Sequence, residues 1–166
     1  IPTGKELFVW TGKTYEPGNT SAGNVTITAA GTMDVRGTLT AGASTIDVNG
    51  DWQSSGTVTA NSGSLLVQGD FAQTGGSVSN VTFDGGDHNS TISQSGGATI
   101  GNATVSQVAG GFFKLVISDL TVTGNLTLVS GDVGTALNAS GATRTINIGG
   151  NLIITQGTLG SATALR

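Results

Sequence analysis

Cysteine is absent from the 166 residues, which rules out a disulfide, a thiolate metal site or a cysteine nucleophile. Charge is scarce too. Charged residues make up 10% of the chain, against roughly 25% in ordinary soluble domains. The net charge is −4 and no basic cluster occurs, so the electrostatic footprint of a nucleic-acid binder is missing. No apolar run approaches the ~18 residues of a membrane helix, and insertion into a membrane is not expected. No signal-peptide pattern is present, and the Ile1-Pro2 start is compatible with a mature N-terminus. Proline occurs only twice, and aromatic residues make up 5%.

What the chain has instead is glycine, 28 residues of it, with abundant Ser and Thr. Regularly spaced Val, Ile and Leu separate it from disordered Gly/Ser-rich chains. The lack of a strict three-residue glycine period separates it from collagen.

The sequence repeats. Ile46, Val48, Gly50, Asp51, Trp52 and Gly56 align with Leu65, Val67, Gly69, Asp70, Phe71 and Gly75. Val122, Gly124, Asn125, Leu126, Leu128, Gly131 and Val133 align with Ile148, Gly150, Asn151, Leu152, Ile154, Gly157 and Leu159. A weaker copy sits at Met33, Val35, Gly37 and Leu39. Self-similarity at this period marks stacked repeats. Within each unit the apolar residues alternate, as in Val25-Ile27, Ile46-Val48 and Leu152-Ile154. Period two means strands with one buried face, and interior glycines at ~1 kcal/mol each argue against helices.

These features predict an all-β fold, a β-solenoid (β-helix) of about seven or eight coils at roughly 20 residues each. Stacked at ~4.8 Å, the coils make a rod of roughly 35 Å. Trp52 then stacks near Phe71, and Leu126 near Leu152. Glycine at the "NGD", "QGD", "TGN" and "GGN" corners would supply positive φ, and the adjacent Asp and Asn would bond their local backbone. The unequal offsets would be absorbed by a bulging loop, "GTALNASGATR". A β-sandwich is the alternative fold.

Residues 1–18 break the repeat and hold Phe8, Trp10 and Tyr15. They read as an N-terminal cap or as a docking segment for another protomer, ahead of a solenoid over 19–166. The C-terminal repeat shows no charged or Pro-containing cap. Either the chain continues, or an open edge stacks head to tail; edges invite such pairing, and a non-closing contact builds a filament.

The pattern "GNVTITAAGTMDVRGTLTAG…IDVNGDW", led in by "FVWTGKTYEPGNTSAGNVTI", resembles the repeats of bacterial secreted β-helical proteins. Filamentous-haemagglutinin-like adhesins and autotransporter passenger domains are the nearest kinds. The resemblance runs over most of the chain from Trp10 on. It implies an extracellular or cell-surface location and a role in adhesion, a surface layer or a fibre.

Catalytic chemistry is thinly represented. Glycoside hydrolysis needs two carboxylates flanking one bond, and the acids here are scattered or repeat at corners. The one local cluster is "DGGDHNST", with Asp84, Asp87 and the single histidine, His88. Those residue types bind metal, but a solvated turn is the simpler reading, and no cofactor is expected. Thr-x-Thr recurs at Thr26/Thr28, Thr38/Thr40, Thr57/Thr59 and Thr121/Thr123, a pattern that on a flat face would order water or bind ice. Glycosylation sequons begin at Asn19, Asn24, Asn80, Asn89, Asn102, Asn125 and Asn138.

The functional expectation is a non-enzymatic extracellular structural protein that stacks end to end. The alternative is an adhesin fragment binding glycan or a host surface through its corner loops. An ice-binding protein and a carbohydrate-active enzyme come behind these.

Overall fold

A computed structural model describes residues 6–15, 26–59, 64–85, 90–106, 114–129, 135–139, 144–156, 158–159 and 163–165. The alternating segments form short strands that follow one another around a coil. The first level holds β1 (Glu6–Val9), β2 (Thr14–Tyr15) and β3 (Thr26–Ala29). On it lie β4 (Thr32–Val35), β5 (Thr38–Thr40) and β6 (Thr45–Val48), then β7 (Trp52–Ser54), β8 (Thr57–Thr59) and β9 (Ser64–Val67). At the next two levels the second and third strands merge. There β10 (Phe71–Gln73) leads to the long β11 (Ser77–Asp84), and β12 (Ser90–Gln94) to β13 (Thr99–Ser106). Next come β14 (Lys114–Val116), β15 (Leu120–Val122) and β16 (Leu126–Val129), then β17 (Thr135–Ala139), β18 (Arg144–Ile148) and β19 (Leu152–Gln156). The short β20 (Thr158–Leu159) and β21 (Thr163–Leu165) follow.

One sheet stacks eight strands in the order β1-β4-β7-β10-β12-β14-β17-β20. The other collects the second and third strands of each level. Every pairing among the described residues is parallel. Parallel neighbours one coil apart define a β-solenoid and exclude the sandwich, whose sheets are antiparallel.

Three expectations change. About five turns, β4 through β16, close around continuous core, rather than a specific seven or eight. The first level has a neighbour on one side only, and so does β19, while β17 and β18 carry only the short β20 and β21 beyond them among the described residues. Among the described residues of 1–18, namely 6–15, no cap is distinguished, because β1 and β2 pair with β4 and β5 as ordinary first rungs. The "GTALNASGATR" segment is not simply a loop, since Thr135–Ala139 forms β17 and pairs with β14.

The core is built from columns of like residues. Met33, Trp52, Phe71 and Ile92 are successive register partners, and all four are fully buried. The Trp52 and Phe71 rings stack 6° from parallel with centroids 6.4 Å apart, and Phe83 meets Phe71 edge-on at 5.2 Å. Burying each such side chain contributes about 1.5–3 kcal/mol. Trp52 Nε1 donates to Ser54 Oγ at 3.1 Å, so its one polar atom is satisfied inside. A second column runs Ile46–Leu65, and Leu126–Leu152 continues the same side of the coil. Leu126 is buried there, while Leu152 is only half-buried.

The corner glycines act differently from the expectation. Positive φ occurs at Gly12, Gly42, Gly76, Gly96 and Gly97, but not at the "NGD" and "QGD" glycines, Gly50 and Gly69. These are glycines because the coil beneath is too close. A Cβ on Gly50 would lie 2.6 Å from the Gly31 carbonyl oxygen, and one on Gly56 would lie against that of Gly37. The Gly69 amide donates to the Gly50 carbonyl at 3.2 Å, and the Gly150 amide to that of Gly124 at 2.9 Å. Gly56 sits beneath Gly76 rather than Gly75, which places a one-residue slip at that corner.

Gly56→Ala is therefore expected to cost about 1–3 kcal/mol, the range for overpacking, because the obstructing atom is backbone and cannot swing aside. Trp52→Ala should cost about 3–5 kcal/mol. Thr57→Ala, on the exposed face, serves as the neutral control. Thermal melts monitored by circular dichroism check the order; a Gly56→Ala melt indistinguishable from Thr57→Ala would refute the close-approach account.

Candidate functional site

Three surfaces of the solenoid carry ordered polar side chains. Coil registration aligns like positions of successive coils in rows, outward or inward according to the period-two alternation.

At the corners, Asp and Asn form staircases between coils. The Asp70 amide donates to Asp51 Oδ1 at 3.0 Å, and the Thr91 amide donates to Asp70 Oδ1 at 2.8 Å. On another corner the Asn125 amide donates to Asn102 Oδ1, and the Asn151 amide to Asn125 Oδ1, both at 2.9 Å. Asn102 Nδ2 donates to Asn80 Oδ1 at 2.8 Å, and the Thr145 amide to Asp119 Oδ1 at 3.0 Å. The side chains thus cap the backbone of the next coil rather than their own turn. Sequence spacing showed the repetition but could not show that the bond crosses to the neighbouring level.

Inside the corner between the two sheets, glutamines do the same job. Gln94 Nε2 donates to Gln73 Oε1 at 3.0 Å, Gln73 Nε2 to the Thr99 carbonyl at 3.1 Å, and the Thr121 amide to Gln94 Oε1 at 2.6 Å. Both side chains are buried. Register places Val35, Ser54, Gln73 and Gln94 in one column, a functional feature the sequence reading missed. The signal was there, in polar residues at an inward position of three successive repeats.

The third surface is a groove on the outer face of the first sheet. Asp34, Arg36, Gln53, Ser54, Ser55, Ala72 and Thr74 line a cavity of about 340 Å³. Phe8, Asp34, Gln53 and Ala72 form one outward row. Arg36 Nε and one terminal nitrogen contact Asp34 Oδ2 at 3.0 and 2.8 Å. The guanidinium lies 4.6 Å over the Phe8 ring, a cation–π contact. Phe8 in turn meets Trp10, centroids 4.6 Å apart. Asp34 is buried at 3% exposure although it faces outward, because Arg36 and its neighbours cover it.

The expected cap aromatics divide by role. Tyr15 pairs with Leu39 and packs on the core, Phe8 is half-buried, and only Trp10 stands free at 67% exposure. Of the suggested metal ligands, Asp84 ends β11 opposite Ser106, while Asp87 and His88 lie outside the described residues. Among the described residues no three His, Cys, Asp or Glu side chains gather as a metal site would require. Of the sequons, Asn80, Asn102 and Asn125 share the corner staircase, Asn138 sits on β17 opposite Leu115, and Asn19, Asn24 and Asn89 lie outside the described residues. Three of the four Thr-x-Thr pairs lie on one ladder. Thr14, Thr38, Thr57, Ser77 and Thr99 are successive register partners, and Thr121 lies one coil on, since Ile100 pairs with Val122; Thr26/Thr28 pair with Thr45/Asp47 on another ladder.

No helix among the described residues is long and apolar enough to cross a membrane. No protein-family model, no curated protein and no solved structure matches the chain. The fold class, a β-solenoid repeat protein, therefore rests on the geometry above.

Asp70→Ala removes the acceptor for the Thr91 amide and should cost about 0.5–1.5 kcal/mol, the net worth of a hydrogen bond that water can replace. Asp70→Asn keeps the oxygen and should lose much less. Hydrogen exchange at the Thr91 amide reads this directly. Faster exchange in Asp70→Ala but not in Asp70→Asn is the expected pattern.

Proposed function

We propose that this protein is a non-enzymatic, extracellular structural β-solenoid. It lengthens by adding further coils in parallel at its edges, supplied by a second copy stacked head to tail. The observation that supports this most is the apolar row that ends at Ile154. That row comprises Phe83, Val105, Leu128 and Ile154, joined by register. Its first three members are fully buried, while Ile154 is 50% exposed. Among the described residues no strand covers the outer side of β19. An inward-facing apolar position and an unpaired strand edge are both satisfied by one more coil of the same kind. The composition and the resemblance to secreted β-helical repeats support the exterior location. The aromatic docking segment is replaced in this reading by the strand edge, since Phe8 and Tyr15 are already engaged within the coil.

Negative-stain electron microscopy of the purified chain over a concentration series tests it. Filaments with an axial repeat of a few nanometres are expected, and Ile154→Lys should reduce them to short rods by burying a charge in the joint while leaving the melting temperature nearly unchanged. Dispersed rods at every concentration would overturn end-to-end assembly.

A further inference from the structure

We infer that the groove beside β4, β7 and β10 is a binding site for a neutral oligosaccharide, with Trp10 as its stacking platform. A sugar ring presents an apolar C–H face and a rim of hydroxyls. A site for it needs a flat exposed aromatic next to fixed planar donors and acceptors. Each part is present. Trp10 is the most exposed large apolar side chain among the described residues, at 67%, and it contacts Phe8. Arg36 is clamped between the Phe8 ring and Asp34, so its guanidinium plane is fixed before any ligand arrives. Its side chain remains 51% exposed, and only Nε and one terminal nitrogen are engaged by Asp34. A guanidinium has five N–H donors, so donors beyond those held by Asp34 remain. Gln53 is exposed one coil above Asp34 in the same row, and Thr74 is exposed two coils above Arg36 in the adjoining one. Ala72, where the neighbouring register positions carry Gln53 and Ser93, is short and opens the depression between them.

The charge arrangement selects the class of sugar. Asp34 lies against Arg36 and cancels its charge, so an anionic saccharide gains little attraction and meets a buried carboxylate. A neutral chain meets donors and acceptors held ready, which lowers the ordering cost of binding. The lining from Asp34 to Ala72 spans two coil steps and Phe8 adds a third, roughly 14 Å at the strand spacing, so the ligand is an oligomer lying along the rod axis. The site stands apart from the edge at β19, and its test is separate from the assembly test.

The experiment is calorimetric titration of the full chain with neutral hexasaccharides of glucose, xylose, mannose and N-acetylglucosamine, with oligogalacturonate as the acidic comparison. Tryptophan fluorescence is read in parallel. Trp52 is fully buried, so a ligand-induced change reports on Trp10. Binding of at least one neutral hexasaccharide with a fluorescence change is expected. Trp10→Ala and Gln53→Ala should each weaken it by about fivefold or more, the loss of one good contact. Both side chains are exposed, so the melting temperature should hold and separate a binding effect from misfolding. The proposal is overturned if no neutral hexasaccharide binds at millimolar concentration, if only oligogalacturonate binds, or if both variants bind as the parent does. It also falls if Trp10→Ala abolishes self-association and leaves saccharide binding intact, since Trp10 would then belong to an assembly contact.

Discussion

The coils of this protein sit on one another at the spacing of a backbone hydrogen bond, and at the corners that spacing leaves no room for a side chain. Gly31 lies beneath Gly50 and Gly50 beneath Gly69; Gly37 lies beneath Gly56 and Gly56 beneath Gly76. In these columns the Gly69 amide meets the Gly50 carbonyl and the Thr57 amide meets that of Gly37. Once the corners are fixed in height, the strands between them are fixed in register. Registration in turn decides which side chains meet, because a slip of one residue would turn every apolar side chain outward.

From that constraint follows the chemistry of the interior and of the corners. Trp52 stacks on Phe71 because both stand two residues past a corner glycine in successive coils. Asp51, Asp70, Asn102 and Asn125 each follow such a glycine or lie in its turn, and from there an Asx oxygen reaches the amide one level on. Gln73 and Gln94 are buried at a cost offset by the bond between them and by bonds to the Thr99 carbonyl and the Thr121 amide. The same registration that builds an apolar column thus also builds polar ones, and these tie successive coils together where the strands bend.

Function on such a scaffold comes from what the registered rows present. In the proposed reading, the inward row left uncovered serves as a joint, and the outward row with aromatic and charged members serves as a binding face. The two sites differ in kind: at β19 the backbone edge and Ile154 invite another coil, while around Arg36 it is fixed side-chain geometry that a small ligand would meet. A rod that both lengthens and binds through its flank fits the exterior role proposed above.

The repeat itself was legible in the sequence. Alternating apolar residues gave the strands, and the matched Gly-Asp-Trp and Gly-Asp-Phe segments gave the pairing of Trp52 with Phe71, because in a solenoid each coil is the template for the next. The sequence also carried the residues of the staircase, but a glycine before an acid reads the same whether the corner needs positive φ or close approach. Only the stacked backbone distinguishes them. The groove was not legible at all: Phe8, Arg36 and Gln53 lie in different repeats and share no motif, and three dimensions bring them together through parallel pairing. Periodic contacts are written in sequence because neighbouring coils repeat them. A site assembled across coils from unlike residues occurs once, and only the tertiary structure decides it.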